Sequence, residues 1–447
     1  MEKFTELMKL KEEFKNKTLL EYVNEHLMQE REFLPLDIEA YKVFCKNFKQ
    51  KEVHRISTGS HMAFLQWEES FGLGENILVN LPHLLNGTKN VISAPCSRIT
   101  FKNSTRPGSV DLSGMGEKST KLSRYTLRGR SKITLNKAQK ISEQEMEIFL
   151  HSFYKFQKEA SMFKFINQDK LSTFISSAEQ MVKRGETFNE QCSWLSSQLW
   201  PHIFNDLKHA SLTIKPLEDL QVRRENILAN KELRELLEKH FKDSYGVLSS
   251  TYFYYGSCKC GIEFSLKKRE EGESVYLEGN CLDKNCPHFG TKKYSVEVND
   301  IIQEVEKKNL NETLFISFYN IWALAGVDVL GGFNQAEYLK EFRDKLCLIF
   351  EQMGEKKRGE ILRKRATNLL DLGVFAAFNQ DGIPKSGSQV FLEGGLNKEY
   401  IEQFSKLNFS KAVDVSLQTI NGLFSEKTDH SLTVKMLKEN DMGFMIR

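Results

Sequence analysis

Apolar positions recur at helical spacing through the first fifty residues: Phe4, Leu7, Met8 and Leu10, then Leu19, Leu20, Tyr22 and Val23. Two amphipathic helices are therefore expected to open the chain. A short strand, Val53–Ser57, ends at Thr58-Gly59-Ser60-His61, and a helical pattern is read from Met62 to Phe71. Asn86-Gly87 marks a turn, and Val91–Phe101 reads as a second strand. Residues 103–133 carry little apolar content and read as a Ser/Gly/basic loop, and from Ser142 to about Phe241 the pattern is helical again. The aromatics Phe149, Phe153, Tyr154, Phe156, Phe163 and Phe165 sit there at core spacing.

Further on, Val298–Leu310 reads as helix and Leu314–Leu330 as a mostly apolar, buried element. Ala336–Leu372 reads as a long charged amphipathic helical region, and the last seventy residues as short strands and turns. The apolar stretch Leu314–Leu330 is interrupted by Asn320 and Asp328 and lies at the short limit for a membrane span, so no membrane partner is expected. No internal repeat is visible.

Between the helical blocks lie four cysteines in two close pairs: Cys258 and Cys260, then Cys281 and Cys286. Two tight turns that each aim two thiolates at one ion, joined by a hairpin, make a tetrahedral zinc site, with His288 as an alternative fourth ligand. Gly261 follows the first pair, where a knuckle turn favours positive φ. Ile262–Glu278 reads as two strands around the turn Arg269–Glu273. Four protein ligands leave no open position, so this zinc is expected to be structural.

The 447 residues are enough for two or three domains, and 40% hydrophobic with 28% charged residues describes an ordinary soluble chain. The other cysteines, Cys45, Cys96, Cys192 and Cys347, are scattered, and the charged N-terminus lacks the apolar core of a secretory signal. A reduced, cytoplasmic setting is expected. The net charge of +3 is unevenly spread. Residues 98–140 hold eleven Lys/Arg and two acids, which leaves the rest of the chain net negative by six. That concentration points to an anionic ligand at one place, or to a solvated loop.

Several segments could carry chemistry. A strand ending at Thr58-Gly59-Ser60 before a helix offers unpaired N–H groups to an anion, with His61 as hydrogen-bond donor, acid or base; a plain N-cap is the alternative. Arg98, Asn103 and Arg106 bracket a polar turn suited to clamping carboxylate or phosphate. Cys96 beside Arg98 has no evident base partner and reads as a buried thiol. Gly331-Gly332 enters a helix from which Asn334, Gln335, Glu337 and Tyr338 project polar groups, either toward a small molecule or as an ordinary helix start. Lys385 lies in the flexible turn Asp381–Ser388, which could clasp phosphate or simply close a hairpin. Lys356, Lys357, Arg358, Arg363, Lys364 and Arg365 form a basic stripe on the long helical region.

An early Thr-Gly-x-His turn and a later Gly-Gly-x-x-x-x-Glu-Tyr helix start resemble the cysteine-adding enzyme of bacillithiol biosynthesis. That family shares a Rossmann-type core with class I aminoacyl-tRNA synthetases. The resemblance rests on Thr58, Gly59 and His61, with Ser60 as an extra residue, and on Gly331, Gly332, Glu337 and Tyr338. Pro384–Ser388 is a loose echo of the late Lys-Ser loop that grips ATP in the synthetases, although the His-x-Gly-His and Lys-Met-Ser-Lys-Ser signatures are not intact. The resemblance implies an α/β, Rossmann-like core interrupted by a helical insertion and a zinc ribbon. The expected division is 1–140 for the first half of the core, 141–246 for the insertion, 247–297 for the ribbon and 298–447 for the second half. The expected function is an enzyme that binds a nucleotide or phosphorylated small molecule, with ATP as candidate cofactor, and joins an amino acid or similar group to an acceptor. In that scheme His61, Glu337 and Tyr338 are catalytic candidates, and Thr58, Gly59, Ser60, Arg98, Asn103, Arg106, Gly331, Gly332, Gln335 and Lys385 hold the ligand. The alternative is a non-catalytic zinc-ribbon protein that binds tRNA or DNA through its basic segments.

Overall fold

The computed structural model describes residues 5–59, 63–97, 109–110, 125–126, 135, 138–158, 166–185, 187–207, 210–215, 254–371, 373–424 and 430–447. It is a mixed α/β fold in which helices dominate. The strands in chain order are β1 (Arg55–Ser57), β2 (Ile92–Ser93), β3 (Ser109–Val110), β4 (Tyr125–Thr126), β5 (Tyr254–Ser257) and β6 (Glu263–Ser265). They continue with β7 (Lys267–Glu271), β8 (Ser274–Cys281), β9 (Gly290–Ser295), β10 (Leu310–Glu312) and β11 (Asp328–Leu330).

The centre is a small parallel sheet in the order β11-β1-β2. Single parallel bridges widen it on both sides, Ser93 to Ile214 and Gly331 to Leu370. The backbone bonds are made on both flanks: Ser93 N–H donates to Thr213 O at 2.9 Å and Asp371 N–H to Gly331 O at 3.0 Å. Across the sheet the order is Ile214, β2, β1, β11, Leu370. The chain therefore winds outward from β1 to one side and then returns to wind outward to the other, with the reversal between β1 and β11.

Period-two alternation sends neighbouring residues to opposite faces. Ile56 lies opposite both Ile92 and Val329, and this row belongs to one core with Phe44, Trp322, Leu339 and Phe350. Val91, Leu330 and Leu370 belong to a second core with Trp67, Ile77, Phe391 and Phe409. A parallel sheet covered on both faces is the stable arrangement for such short apolar strands.

The N-terminal helices form as their periodicity requires. Thr5–Glu13 buries Leu7 and Leu10. Leu19–Tyr22 starts from a Thr18–Glu21 capping box, and Ile38–Asn47 is capped by the Asp37 carboxylate. Three expectations are corrected. The helix expected over Met62–Phe71 begins only at Ser70, running Ser70–Val79. Residues 63–68 are instead irregular and buried throughout, and their polar groups are met by side-chain and backbone groups from elsewhere. Gln66 N–H donates to Ser196 Oγ at 2.9 Å, and Trp67 Nε1 to Ser196 O at 3.1 Å. Burial on every side, not one apolar face, produced the helix-like spacing.

The Ala336–Leu372 helical region is broken. Phe333–Gln352 and Lys356–Arg363 are separate helices, divided where Gly354 takes φ +82°. The last seventy residues are mainly helical: Gly387–Leu392, Lys398–Ser405, Phe409–Phe424 and His430–Glu439. Tyr400, Ile401 and Phe404 are buried along one side of their helix, a pattern outweighed in the sequence by the preceding Gly/Ser/Pro-rich turns. Leu314–Leu330 is buried as expected. It divides into a short helix, Leu314–Phe318, a π-turn, Tyr319–Leu324, and β11. Among the described residues no helix is long and apolar enough to cross a membrane.

Candidate functional site: a four-cysteine centre and a buried carboxylate pair

The cysteines lie at the ends of two antiparallel sheets, β10-β5-β6 and β7-β8-β9. Cys258 follows β5. Its N–H donates to Ile262 O, and Gly261 N–H donates to Cys258 O, both at 2.9 Å. Gly261 closes this knuckle at φ +88°, a conformation that costs glycine nothing. Cys281 ends β8 opposite Gly290 of β9. From there Asp283 turns the chain, its carboxylate accepting from Asn285 N–H at 3.2 Å and its carbonyl from Cys286 N–H at 2.9 Å.

The four sulfurs lie within 4.8 Å of one another, so the group could hold a metal ion. Cys258 and Cys286 Sγ are 3.4 Å apart, and Cys260 and Cys281 Sγ 3.8 Å. His288 is not a member. Its backbone N–H donates to Cys286 Sγ at 3.3 Å, which supports a thiolate there. Burial opposes ionisation of Cys258, yet the Cys260 amide and the other three thiols bring it down to about 7. The first thiolate is thereby prepared for a cation.

The second constellation lies at the carboxyl ends of the parallel strands. Thr58-Gly59 leaves β1 beside Gly331-Gly332 leaving β11, and Thr58 N–H donates to Leu330 O at 2.7 Å. Thr58 Oγ1 donates to Gln335 Oε1 at 2.7 Å, while Gln335 Nε2 donates to Val329 O at 2.8 Å. Gln335 is thus a brace between the two turns. Glycine at both turns lets these side-chain ends approach the backbone closely. A Cβ on Gly331 would lie 1.9 Å from Gln335 Oε1, and one on Gly59 would lie 2.2 Å from Asp371 Oδ2.

Asp371 is fully buried, accepts from Ser57 Oγ at 3.0 Å and from the Gly59 amide, and leaves Oδ1 without a hydrogen-bond partner. Burial pushes its carboxyl up to about 7 against these donors. Glu75, from helix Ser70–Val79, is the second acid. Burial raises it well above the carboxylate range, Asp371 and Glu69 raise it further, and only the Gly373 amide opposes them. Its Oε2 also lacks a partner. Gly332 opens toward this side, since a Cβ there would be 3.8 Å from Glu75 Oε1. Two like charges in a dry site cannot both ionise freely, so each acid disfavours ionisation of the other. Tyr338 completes the edge, its hydroxyl 3.5 Å from Gln335 Oε1 and pushed up by burial, Cys96 and Asp371.

The turns at Gly59 and Gly331–Tyr338 are therefore together, 272 residues apart in the chain. Glu337 is half-buried on the first turns of helix Phe333–Gln352. Ser60, His61, Arg98, Asn103 and Arg106 lie outside the described residues, as does most of the basic stretch. Among the described residues the first helix after Gly59 starts at Ser70. The acceptor that the Gly59 amide meets is internal, the Asp371 carboxyl group.

Lys385 stands apart from this cluster. Its ammonium is buried against Glu393 Oε2 at 2.5 Å, while the Ser388 hydroxyl donates to Glu68 Oε1 at 2.7 Å. The Asp381–Ser388 turn is thus closed on the chain's own carboxylates. The basic stripe is divided: Lys356, Lys357 and Lys364 are exposed, Arg363 pairs with Glu351, and Arg365 is buried beside Trp322.

Asp371 and Glu75 were missed in the sequence. The available signal was a single acid inside each of two apolar runs, Leu369-Leu370-Asp371-Leu372-Gly373-Val374 and Phe71-Gly72-Leu73-Gly74-Glu75-Asn76-Ile77. No protein-family model matches the chain, and no curated protein matches it in sequence.

Proposed function

We propose that the protein is an enzyme that binds a small molecule at the carboxyl ends of its parallel strands and uses Asp371 and Glu75 for proton transfer. One observation carries the reading. The strand order reverses between β1 and β11, and at that point the two glycine turns emerge side by side onto a buried, protonatable carboxylate. In open α/β sheets of this Rossmann-like order, ligands bind in the crevice where the winding reverses. A nucleotide or phosphorylated substrate suits that crevice. The carboxylates suit an amine or hydroxyl that sheds a proton as it attacks an acyl or phosphoryl group, the chemistry of a ligase or transferase. The four-cysteine centre is read as structural zinc. Thiolates about 2.3 Å from one ion stand about 3.8 Å apart, close to the spacing of these sulfurs, and four protein ligands leave no position for water.

Thermal shift with a panel of nucleotides tests the reading, in wild type and Asp371→Asn. Stabilisation by a nucleotide that persists at 0.5 M salt (roughly a 4 Å screening length), with loss of turnover but not of nucleotide binding in Asp371→Asn, is expected. Absence of any nucleotide effect, together with oligonucleotide binding that falls steeply with salt, would move the protein to the nucleic-acid-binding class. Metal analysis should find one zinc per chain, lost in Cys281→Ser.

A further inference from the structure

The opposite end of the same sheet carries an unbalanced charge cluster. Arg55 and Asp328 are the first residues of β1 and β11 and are register partners. Arg31 and Arg365 join them, so three guanidiniums face one carboxylate. Arg31 Nη1 lies 3.8 Å from Asp328 Oδ2, Arg55 Nε 3.9 Å from the same oxygen, and Arg365 Nη2 3.6 Å from Oδ1. Each distance exceeds a hydrogen bond, whereas a closed guanidinium–carboxylate fork brings N and O to about 2.8 Å. The arginines surround Asp328 without closing on it. Exposed Glu30 is the other acid that acts on Arg55, so positive charge remains in excess.

The guanidiniums are held in place by backbone. Arg31 donates to the carbonyls of His26 and Gln29, Arg55 to Gln29 and Arg365 to Leu34. These bonds use a minority of the fifteen N–H donors that three arginines carry. Arg55 Nε is buried with no hydrogen-bond partner. Arg365 is 4% exposed and forms the floor, while Arg31 and Arg55, at 22% and 19%, are reachable from solvent. A cradle fixed in advance loses little freedom on binding.

We propose that Arg31, Arg55 and Arg365 form a binding site for a phosphate or phosphoryl group, separate from the crevice at the strands' carboxyl ends. Tetrahedral oxygens accept from several planar guanidiniums at once. Asp328 adds selectivity. A phosphate that keeps one proton donates it to the carboxylate, whereas sulfate, fully ionised, meets that carboxylate only as a like charge.

Titration of the full-length protein by calorimetry with inorganic phosphate, sulfate and chloride at matched ionic strength tests the site. Phosphate should bind at least about tenfold more tightly than sulfate, and Arg55→Gln and Arg31→Gln should each weaken it by about tenfold or more, the effect of one lost charge-assisted hydrogen bond. Loss of phosphate binding in both arginine variants places the ion at this end of the sheet, away from the crevice at the strands' carboxyl ends. Adenosine monophosphate competing with inorganic phosphate would identify a nucleotide phosphoryl as the occupant, and its failure to compete would identify the free ion. Equal responses to phosphate and sulfate, or phosphate binding that survives both arginine substitutions, would overturn the assignment. Should either variant unfold, Arg→Lys at the same positions keeps the charge and loses the fork, and must still weaken binding.

Discussion

Asp371 holds its proton because nothing around it replaces water well enough to stabilise the charge. Its folded value of about 7 lies above the ordinary 3.8. Between those values the folded chain keeps a proton that the unfolded chain has released, so this residue's contribution to stability is full below pH 3.8 and is lost as pH rises through 7. Asparagine at the same position is neutral at every pH and retains a carbonyl for Ser57 and Gly59. Urea denaturation should therefore show Asp371→Asn gaining on wild type between pH 5 and pH 8 by roughly 2–3 kcal/mol, the worth of two pH units. A constant difference across that range would mean that Asp371 is ionised throughout. Why the residue escaped sequence reading is also a matter of single groups. Its donors, Ser57 and Gly59, lie more than three hundred positions away in the chain, and an isolated Asp advertises no partner. The cysteines were legible because each pair supplies half a coordination sphere within one turn.

Among elements, helix Ser70–Val79 packs tightly against the chain at Val374. A Cβ on Gly74 would lie 1.6 Å from Val374 O, a backbone atom that cannot swing aside. Gly74→Ala is expected to push the helix off this strand-end segment, displace Glu75 from Asp371 and cost at least about 2 kcal/mol, in the range of overpacked core substitutions. Chemical denaturation measures the loss, and stability equal to wild type would show that the helix has room to shift. The same contact marks where periodicity informs and where it does not. β1 and the first two N-terminal helices have one apolar face each, and pattern alone located them, whereas the third, Ile38–Asn47, was not anticipated. Residues 63–68 have no solvent face, and their alternation with Gln66 and Glu68 carried no helix. The C-terminal helices did have apolar faces, at Tyr400, Ile401 and Phe404 for instance, but Gly382, Gly394 and Gly395, all at positive φ, separate them into short pieces that read as turns.

At the scale of the molecule, the sheets that carry the four cysteines are not an appendage. Tyr254, Leu266, Leu277 and Tyr294 share one core with Ile56 and Val329 of the parallel sheet, and β10, which pairs with β5, runs directly into Leu314–Phe318. Removing the ion with a chelator should accordingly lower the unfolding temperature of the whole chain in a single calorimetric transition, reversed by added zinc. Two separated transitions, with the upper one unmoved, would show that the sheets melt independently. The winding order has a consequence for synthesis. The strand that covers the second edge of β1 leaves the ribosome about 270 residues after it, and Asp371 reaches Ser57 only after 314. At about 5–20 residues per second, the nascent sheet waits roughly 15–60 s with that edge unpaired. Every interrupted translation product that stops before residue 328 lacks the strand that covers this edge, and leaves it open to pairing with another chain.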